Sequence, residues 1–290
     1  RSRTTIYMTP AGHLDRIFQT NAEQDRSTPV VVFIGAHPLW ALGSLAAGGR
    51  DVDELAVIGG LLGYPLEITP SLVNPGLPVP ARAEIALEGV ICHRQTVQES
   101  PYGEALGFVS TAAPRPVFEV KVMSTRKKPI YQEIVAGHLE HLNMTGIAVK
   151  IHLHRTLIKK YPGIAELHQA GPMTLYLRLS GDVKQTDAKR MIREILANER
   201  YVKQVVVFDQ DVDLKNAQQV NKALATMVQA DRDILILPDQ IGNGVDPSEC
   251  NGRTTKWGID ATTKALETGK PARSIIPQII LDKIMRQALV

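Results

Sequence analysis

The chain has 290 residues, of which 44% are hydrophobic and 22% are charged, and its formal net charge at pH 7 is +3. These values are typical of a folded globular protein, and the length predicts one large domain or two medium domains, of which we prefer two. Because the net charge is small and basic residues are mixed with acidic ones, we expect no nucleic-acid partner.

Cysteine usage and hydropathy indicate a cytoplasmic protein. Cys92 and Cys250 are the two cysteines of the chain, and they form neither a metal-binding pair nor a disulfide framework. No apolar run approaches the roughly twenty residues that span a bilayer, so we expect no membrane association. The chain begins with Arg1 in place of an initiator Met, which indicates an N-terminus that was removed or left out.

The first part of the chain predicts strands that are separated by turns. The apolar, β-branched run Pro29–Gly35 is typical of a buried strand. From Asp53 to Leu62 apolar residues recur at helical spacing, with Asp51 or Asp53 as the cap and Gly63 as the end. Because proline and glycine turns separate the strands, an antiparallel sheet or barrel is favoured. Further strands are predicted at Leu66–Val73, Ala83–Ile91 and Leu106–Thr111.

The pattern changes near Pro114 and Pro116, after which strands and helices alternate. This alternation predicts an α/β layered domain. The final helix, Ile275–Val290, has an apolar face, and we expect it to dock on its own chain or on a second copy. The predicted strands are Val117–Met123, Thr174–Leu179, Val202–Phe208 and Ile234–Leu237, and the predicted helices are His141–Tyr161, Thr186–Asn198 and Asn216–Val228.

The segment Glu99–Glu104 places two carboxylates close together in a loop. Pro101 keeps the preceding Ser100 extended and Gly103 allows a sharp turn, so the segment cannot be helical. Two carboxylates aimed at one point resist joint ionisation, and one of them is then favoured to hold a proton at neutral pH. The pair is therefore a candidate proton donor; the alternative is a pair of solvated surface groups.

Several motifs are spread over almost the whole chain: Gly35–Pro38, Asp53–Ala56, Gly59–Glu67, Val79–Ile85, Leu87–Gly89, Glu99–Glu104, Phe208–Asp213 and Lys256–Thr262. In order and spacing they resemble the UbiD family of prenylated-FMN-dependent decarboxylases. This family includes the ferulic acid and 3-octaprenyl-4-hydroxybenzoate decarboxylases. The combination carries the resemblance, since no single motif would decide it.

The resemblance implies a reversible, non-oxidative decarboxylation of an aromatic or α,β-unsaturated carboxylic acid. It implies prenylated FMN, supplied by a flavin prenyltransferase, as the group that accepts the electrons released when CO2 departs. In the Glu-Arg-Glu network of the family the last Glu protonates the carbon that lost CO2, which makes Glu104 the proton donor and Glu99 its partner.

The fold class that the resemblance implies is α/β (α+β) with two domains. A split β-barrel that binds the flavin is expected over residues 1–114. An α/β layered domain is expected over residues 115–290, and its C-terminal helix is expected to help form a homodimer or a higher homo-oligomer.

A divalent metal, Mn²⁺ or Mg²⁺, is implied at the flavin phosphate, with K⁺ as a possible neighbour. Glu54 matches the metal-binding Glu of the family, although the helix dipole alone also favours a Glu in the first turn. The metal-binding His falls near Glu23, or on His13 if the loop is shorter, and the metal-binding Asn falls near Arg3.

Flavin contacts are implied at two places. Ser44, Leu45 and Ala46 fall where the backbone of the family lines the flavin. Lys256 is a candidate phosphate contact, since a Lys acts as a point charge on a phosphate; the alternative is a surface residue. We interpret His37, in the loop after a strand, as structural rather than as a catalytic base.

One departure from the family pattern is Met8, which stands where the network Arg is expected. A Met cannot hold a carboxylate by a bidentate fork, so either another Arg enters or the network works differently, and Arg3 is a weak substitute. Two hypotheses follow: an active prenylated-FMN decarboxylase, or a family member that has lost catalysis and serves as a binding or scaffolding subunit. The substrate and the physiological direction stay open.

Overall fold

The computed structural model describes residues 2–10, 12–45, 53–181, 185–263 and 278–288. The first part of the chain consists of short helices and antiparallel strands. In chain order its elements are β1 (Arg3–Thr5), α1 (His13–Glu23), β2 (Thr28–Ile34), α2 (Pro38–Ser44), α3 (Glu54–Leu62), β3 (Ile68–Pro70), β4 (Pro78–Pro80), β5 (Ile85–Glu99) and β6 (Ala113–Thr125).

Four of these strands form the sheet that carries the candidate site. Their order is β1-β6-β5-β2, and every neighbouring pair is antiparallel, which confirms the predicted antiparallel arrangement. β5 continues to Glu99, well beyond the predicted end at Ile91, and two register shifts interrupt its pairing with β6. The first predicted carboxylate therefore belongs to a strand and not to a loop.

The strand predicted at Leu106–Thr111 is wrong. These residues form the returning arm of a tight loop, in which a single isolated bridge joins Gly103 to Val109. Gly107 has a φ of 81°, a left-handed value that glycine adopts without strain. The chain therefore turns at Gly107 before a strand can form, and the loop connects β5 to β6.

The predicted helix after Asp53 is confirmed at both ends. Oδ1 of Asp53 accepts a hydrogen bond of 2.9 Å from the Leu55 N–H, and Gly63 ends α3 with a φ of 75°. His37 caps α2, because its Nδ1 accepts a hydrogen bond of 3.3 Å from the Leu39 N–H. This contact agrees with a structural role for His37.

The second part of the chain contains helices and a mixed sheet. In chain order its elements are α4 (Leu139–Lys160), β7 (Ile164–Gly171), β8 (Thr174–Leu179), α5 (Gln185–Asn198), β9 (Gln204–Phe208), α6 (Ala217–Met227), α7 (Ala230–Asp233), β10 (Ile234–Ile241), β11 (Arg253–Ala261) and α8 (Gln278–Ala288). The sheet order is β10-β11-β9-β8-β7, with parallel pairs in the centre and an antiparallel strand at each edge. The predicted alternation of strands and helices is confirmed, although the sequence pattern does not predict β7 or β11.

Helices cover both faces of this five-stranded sheet. Val205 and Val207 of β9 belong to a buried cluster with residues of α4 and α5. Val206 and Phe208 point to the opposite face, as successive strand residues do, and pack with residues of α6. All four side chains are fully buried, so β9 lies at the centre of a sandwich of helix, sheet and helix.

Residues 126–138 connect the two sheets. Because β6 runs to Thr125, the expected boundary at residues 114 and 115 falls inside a strand, and we propose that the boundary lies in this connecting segment. The connecting segment touches the loop between β5 and β6: a Cβ atom added to Gly137 would lie 2.5 Å from the Cα atom of Gly107. The two backbones therefore meet without a side chain between them.

The terminal helix that the sequence predicts is present as α8, and Ile279, Ile280 and Ile284 are exposed on it. Within the residues that the structure describes, none of the helices has both the length and the apolar character needed to cross a bilayer.

Candidate active site

Glu99 ends β5 and faces β6 across the antiparallel ladder. Its register partner is Ala113, and Arg115 lies two residues further along β6 on the same face. Long side chains on such a diagonal can touch. The Arg115 Nε atom lies 3.5 Å from Oε2 of Glu99, and the two side chains are 31% and 15% exposed. The sheet therefore holds a cation beside the first predicted carboxylate.

β1 provides a second contact to Glu99. Thr5 pairs with Val117 on the other side of β6, which puts the Thr5 side chain on the same face as Arg115. The Thr5 hydroxyl donates a hydrogen bond of 2.7 Å to Oε1 of Glu99. The ring centroid of Tyr7 lies 4.7 Å from the guanidinium carbon of Arg115, a distance at which the ring face attracts a cation. Each oxygen of the Glu99 carboxylate thus faces a different donor.

Glu104 lies in the tight loop between β5 and β6, where backbone hydrogen bonds fix its position. Its N–H donates to the Phe108 carbonyl at 2.8 Å, and its carbonyl accepts from the Gly107 N–H at 2.9 Å. Tyr102 and Ser110 form the next pair: the Ser110 N–H donates to the Tyr102 carbonyl, and the Tyr102 N–H donates to the Ser110 hydroxyl. The half-buried Glu104 is therefore carried by an internally bonded loop.

The Tyr102 phenol is influenced by both carboxylates and by Arg115. Partial burial raises the pKa of the Tyr102 phenol, the negative charges of Glu104 and Glu99 raise it further, and the positive charge of Arg115 lowers it. The phenol is thus protonated at neutral pH and can donate a hydrogen bond. The Tyr102 phenol therefore feels the charge of both carboxylates that the sequence singles out. We call Glu99, Tyr102, Glu104 and Arg115 the acid cluster.

Glu54 lies next to His13. Its Oε1 is 3.2 Å from Nδ1 of His13, and both side chains are partly exposed. Glu23 stands at the other end of the 11-residue helix α1, about 15 Å away along the helix axis. The geometry therefore pairs Glu54 with His13 and not with Glu23. Among the described residues, no group of three or more His, Cys, Asp and Glu side chains is arranged to hold a metal ion.

The pair of His13 and Glu54 fits a divalent ion that takes further oxygen ligands from a phosphate and from water. Mg²⁺ usually keeps several waters and binds through one or two carboxylates together with phosphate oxygens. Arg3, which falls near the position of a metal-binding Asn, forms an ion pair with Glu119 at 3.4 Å. An arginine has no acceptor lone pair to offer a metal, so Arg3 does not serve as a metal ligand.

The residues expected to line a flavin lie in two separate regions. Ser44 ends α2, where its hydroxyl donates to a carbonyl of its own helix at 2.9 Å, and Leu45 follows as the C-cap. Ala46 lies outside the described residues. Lys256 is buried in β11, where its amine donates to the Glu199 carbonyl at 2.8 Å and burial lowers its pKa. This environment excludes the surface alternative for Lys256 and does not support a phosphate contact.

Arg115 is the residue of the acid cluster that the sequence does not reveal. It stands between Pro114 and Pro116, which the sequence pattern marks as the end of the first domain. Its only signal is a cation at the start of a strand, and the pairing with Glu99 becomes visible once the register of β5 and β6 is known. Sequence alone names Arg3 as the substitute, and the structure places Arg3 beside Glu119 instead.

Two protein-family models match consecutive parts of the chain. The Rift-related domain of UbiD, 3-octaprenyl-4-hydroxybenzoate carboxy-lyase, matches residues 1–139. The C-terminal domain of the same carboxy-lyase matches residues 142–261. The two matches meet at the start of α4, directly after the connecting segment.

The chain is similar to named relatives and to solved structures. Anhydromevalonate phosphate decarboxylase of Aeropyrum pernix is 31% identical over 272 residues, which are 93% of this chain and 61% of that protein. The UbiD-class enzyme HmfF of Pelotomaculum thermopropionicum, solved in complex with FMN, has 33% identity and a TM-score of 0.86, and the match covers 100% of this chain and 65% of that chain. An evolved dimeric form of HmfF, solved with prFMN, has 30% identity and a TM-score of 0.79 over 96% of this chain and 61% of that chain. This chain thus spans less than two thirds of the length of each of these relatives.

Proposed function

Because the chain belongs to the UbiD family, we propose that it catalyses the reversible, non-oxidative decarboxylation of an aromatic or α,β-unsaturated carboxylic acid with prenylated FMN. Glu104 is the proposed proton donor and Glu99 its partner. The proposal concerns the activity of the whole protein. The relatives are longer than this chain, which matches 61% and 65% of their lengths.

The acid cluster is the observation that supports this proposal most strongly. A decarboxylase must deliver one proton to a carbon atom after CO2 departs, and a positioned carboxylic acid does so well. Glu104 is half-buried on an internally bonded loop. Beside it, Tyr102 is a protonated donor, and Glu99 is held by Thr5 and Arg115. These side chains form the positioned acid and the supports that such a step requires.

When bound, prenylated FMN supplies the electron sink for the decarboxylation. The residues of the chain then hold and move a proton. Oε of Glu104 gives its proton to the carbon that has lost CO2, and it regains a proton from solvent before the next turnover. In the carboxylation direction the Glu104 carboxylate removes the proton from the same carbon, as microscopic reversibility requires. Glu99, which accepts a hydrogen bond from Thr5 and faces Arg115, is the proposed partner at the start of the loop that carries Glu104.

His13 and Glu54 are the proposed protein ligands of a Mn²⁺ or Mg²⁺ ion that binds the flavin phosphate, and K⁺ is a proposed neighbour. Ser44 and Leu45 are the proposed flavin contacts. The evolved HmfF is dimeric, and we extend this to a homodimer of the present chain in which the exposed isoleucines of α8 are buried. A flavin prenyltransferase is the proposed source of the cofactor.

The substrate class can be narrowed by comparing two kinds of acid. The Aeropyrum pernix relative is named for anhydromevalonate phosphate, a phosphorylated unsaturated acid. In the present chain, a cavity of about 500 Å³ is lined by Thr5 and Val97 on the face of the acid cluster, together with Arg3 and Arg94. Arg3 and Arg94 already form ion pairs with Glu119 and Asp25, so it is the name of this relative that places the phosphorylated acid before an aromatic acid in a substrate panel.

Loading the protein with its proposed flavin cofactor tests the proposal as a whole. The chain is produced together with a flavin prenyltransferase, and the purified protein is measured for flavin absorbance, for manganese and magnesium content, and for mass by light scattering. Its reaction is followed by CO2 release and by exchange of the substrate hydrogen in deuterated water. A protein without flavin and without exchange on either kind of acid would overturn the enzymatic proposal in favour of a binding or scaffolding subunit.

Glu104→Gln tests the assignment of the proton donor. The amide keeps the size of the side chain but has no proton to give, so kcat should fall by about 10²- to 10⁴-fold while the unfolding temperature stays the same. Glu140→Gln is the matched control, because it removes an exposed carboxylate from the first turn of α4. Turnover that is equal in both variants would contradict the role of Glu104.

A further inference from the structure

We propose that Arg115 supplies the guanidinium of the carboxylate network and thereby fills the role that Met8 cannot perform. The inference rests on the proposed function, since the network matters to turnover only if Glu104 transfers a proton. Arg115 is assigned as a positioning residue because its contact is with the carboxylate of Glu99.

The position of Arg115 is set by the register of a sheet. β6 lies between β1 and β5, so a side chain on β6 has neighbours on both sides. Thr5 from β1 and Glu99 from β5 lie on the same face as Arg115. Arg115 itself pairs with Val97 of β5, and the ladder of β6 with β1 begins two residues further on at Val117. The strand that carries the guanidinium is therefore paired on one side at Arg115 and on both sides from Val117 onward, which is the kind of support that a precise site requires.

The ring of Tyr7 contacts the guanidinium of Arg115. Its centroid lies 4.7 Å from the guanidinium carbon of Arg115, close enough for an attraction between the cation and the ring. Tyr7 directly precedes Met8. The segment that contains Met8 in place of the expected Arg thus contributes the aromatic ring of Tyr7, and Arg115 of β6 packs against this ring.

The contact between Arg115 and Glu99 can shorten when substrate binds. The Nε atom of Arg115 is buried and makes no hydrogen bond to any residue that the structure describes. Its distance of 3.5 Å from Oε2 of Glu99 is long for a hydrogen bond. Hydrogen bonds of catalytic groups are often long before substrate binds and tighten in the complex. A buried donor without a partner favours such a tightening, because leaving it unpaired costs free energy.

Other arginines near the site are engaged elsewhere. Arg3 is paired with Glu119, which also faces Lys121 at 3.0 Å. Arg94 is paired with Asp25 at 2.5 Å. Arg115 is therefore the arginine whose geometry matches the carboxylate of Glu99.

Turnover of the loaded protein tests the role of Arg115. Arg115→Met removes the charge but keeps most of the length, and kcat should fall by about 100-fold with a smaller change in KM. Arg115→Lys should recover part of the loss, because it restores the charge without the planar fork. Guanidinium ion added to Arg115→Ala should raise kcat. Lys121→Met, which removes a cation further along β6, is the control and should leave kcat unchanged.

A wild-type protein that turns over, together with an Arg115→Met variant of equal kcat, would overturn this inference and leave the proposed function standing. A double-mutant cycle tests the contact without any flavin. Midpoints of thermal unfolding are compared for Glu99→Gln, Arg115→Met and the double variant. If Arg115 holds Glu99, the second change adds little to the first, and the shifts are not additive. Additive shifts would refute the contact even in an inactive protein. Non-additive shifts in an inactive protein would confirm the contact and overturn the proposed function, together with the role of Arg115 in turnover.

Discussion

The five-stranded sheet and the four-stranded sheet bury very different surfaces. In the five-stranded sheet both faces of β9 are fully buried beneath helices. In the four-stranded sheet, Ile91 and Phe118 are buried on one face, while on the other face Glu99 and Arg115 lie half-buried beside the buried Val117. A face that must receive a ligand cannot also be covered by a permanent core. The comparison indicates that one sheet mainly stabilises the chain and the other mainly positions reacting groups.

The largest expected effect comes from the core of the five-stranded sheet. Leu177 of β8 is 0% exposed, so Leu177→Ala should lower the free energy of unfolding by about 2–5 kcal/mol through lost burial and a cavity. Met123→Ala on β6 is the control, because Met123 is 65% exposed and the change should stay within about 0.5 kcal/mol. Urea unfolding followed by circular dichroism measures both. Equal losses at the two positions would show that burial in the five-stranded sheet does not decide the loss of stability.

A smaller effect is expected from acid. Burial alone would raise the pKa of Asp246, but hydrogen bonds from Lys203 and Ser248 outweigh it and lower the pKa to about 2. A carboxyl whose pKa is lower in the folded state than in the unfolded chain adds stability above pH 4, and this is lost as the pH falls toward 2. Between these values the free energy of unfolding should fall on the order of 1 to 2 kcal/mol more in the wild type than in Asp246→Asn.

The control for this acid effect is Glu194 on α5. Hydrogen bonds from Tyr161 and Lys160 lower the pKa of Glu194 to about 2 as well, but its side chain is 32% exposed, compared with 5% for Asp246. Because water screens exposed charges, Glu194→Gln should change the acid unfolding profile much less than Asp246→Asn. Equal changes in the two profiles would show that burial does not decide the effect.

The smallest of these effects lies where the two parts of the chain meet. Gly107 and Gly137 both have positive φ, so an alanine at either position strains the backbone. A Cβ atom on Gly137 would lie 2.5 Å from the Gly107 backbone, whereas one on Gly107 would lie 3.8 Å from Gly137. Gly137→Ala should therefore cost about 1 kcal/mol more in urea unfolding than Gly107→Ala. It should also speed amide hydrogen exchange in the Glu104 loop; equal exchange in the two variants would argue against the close approach.

Elements that depend on local interactions are predictable from the sequence. The helix α3 shows this, since its cap at Asp53 and its end at Gly63 are both encoded by neighbouring residues. β8 is predicted with the bounds that it has, because a short apolar run between turns is a local signal. The two carboxylates of the candidate site are likewise visible, as they lie close together along the chain.

Features that depend on distant pairing are not predictable in this way. β11 contains the buried polar residues Lys256 and Asp260, which interrupt the expected apolar pattern. They are tolerated because Asp260 accepts a hydrogen bond of 2.6 Å from the Thr262 hydroxyl and Lys256 donates to a backbone carbonyl. Arg115 escapes detection for a related reason: its meaning comes from a partner on another strand.

The contact between Gly107 and Gly137 also has a mechanical consequence. Side chains that lie between two segments can absorb a movement of one segment, because they can change rotamer. At Gly107 and Gly137 the two backbones are in direct contact, and tightly packed protein has a low compressibility. A displacement of the connecting segment is therefore passed directly to the loop that carries Glu104. The length and path of residues 126–138 thus help to set the position of Glu104. An insertion in this segment would shift Glu104 although it lies outside the acid cluster.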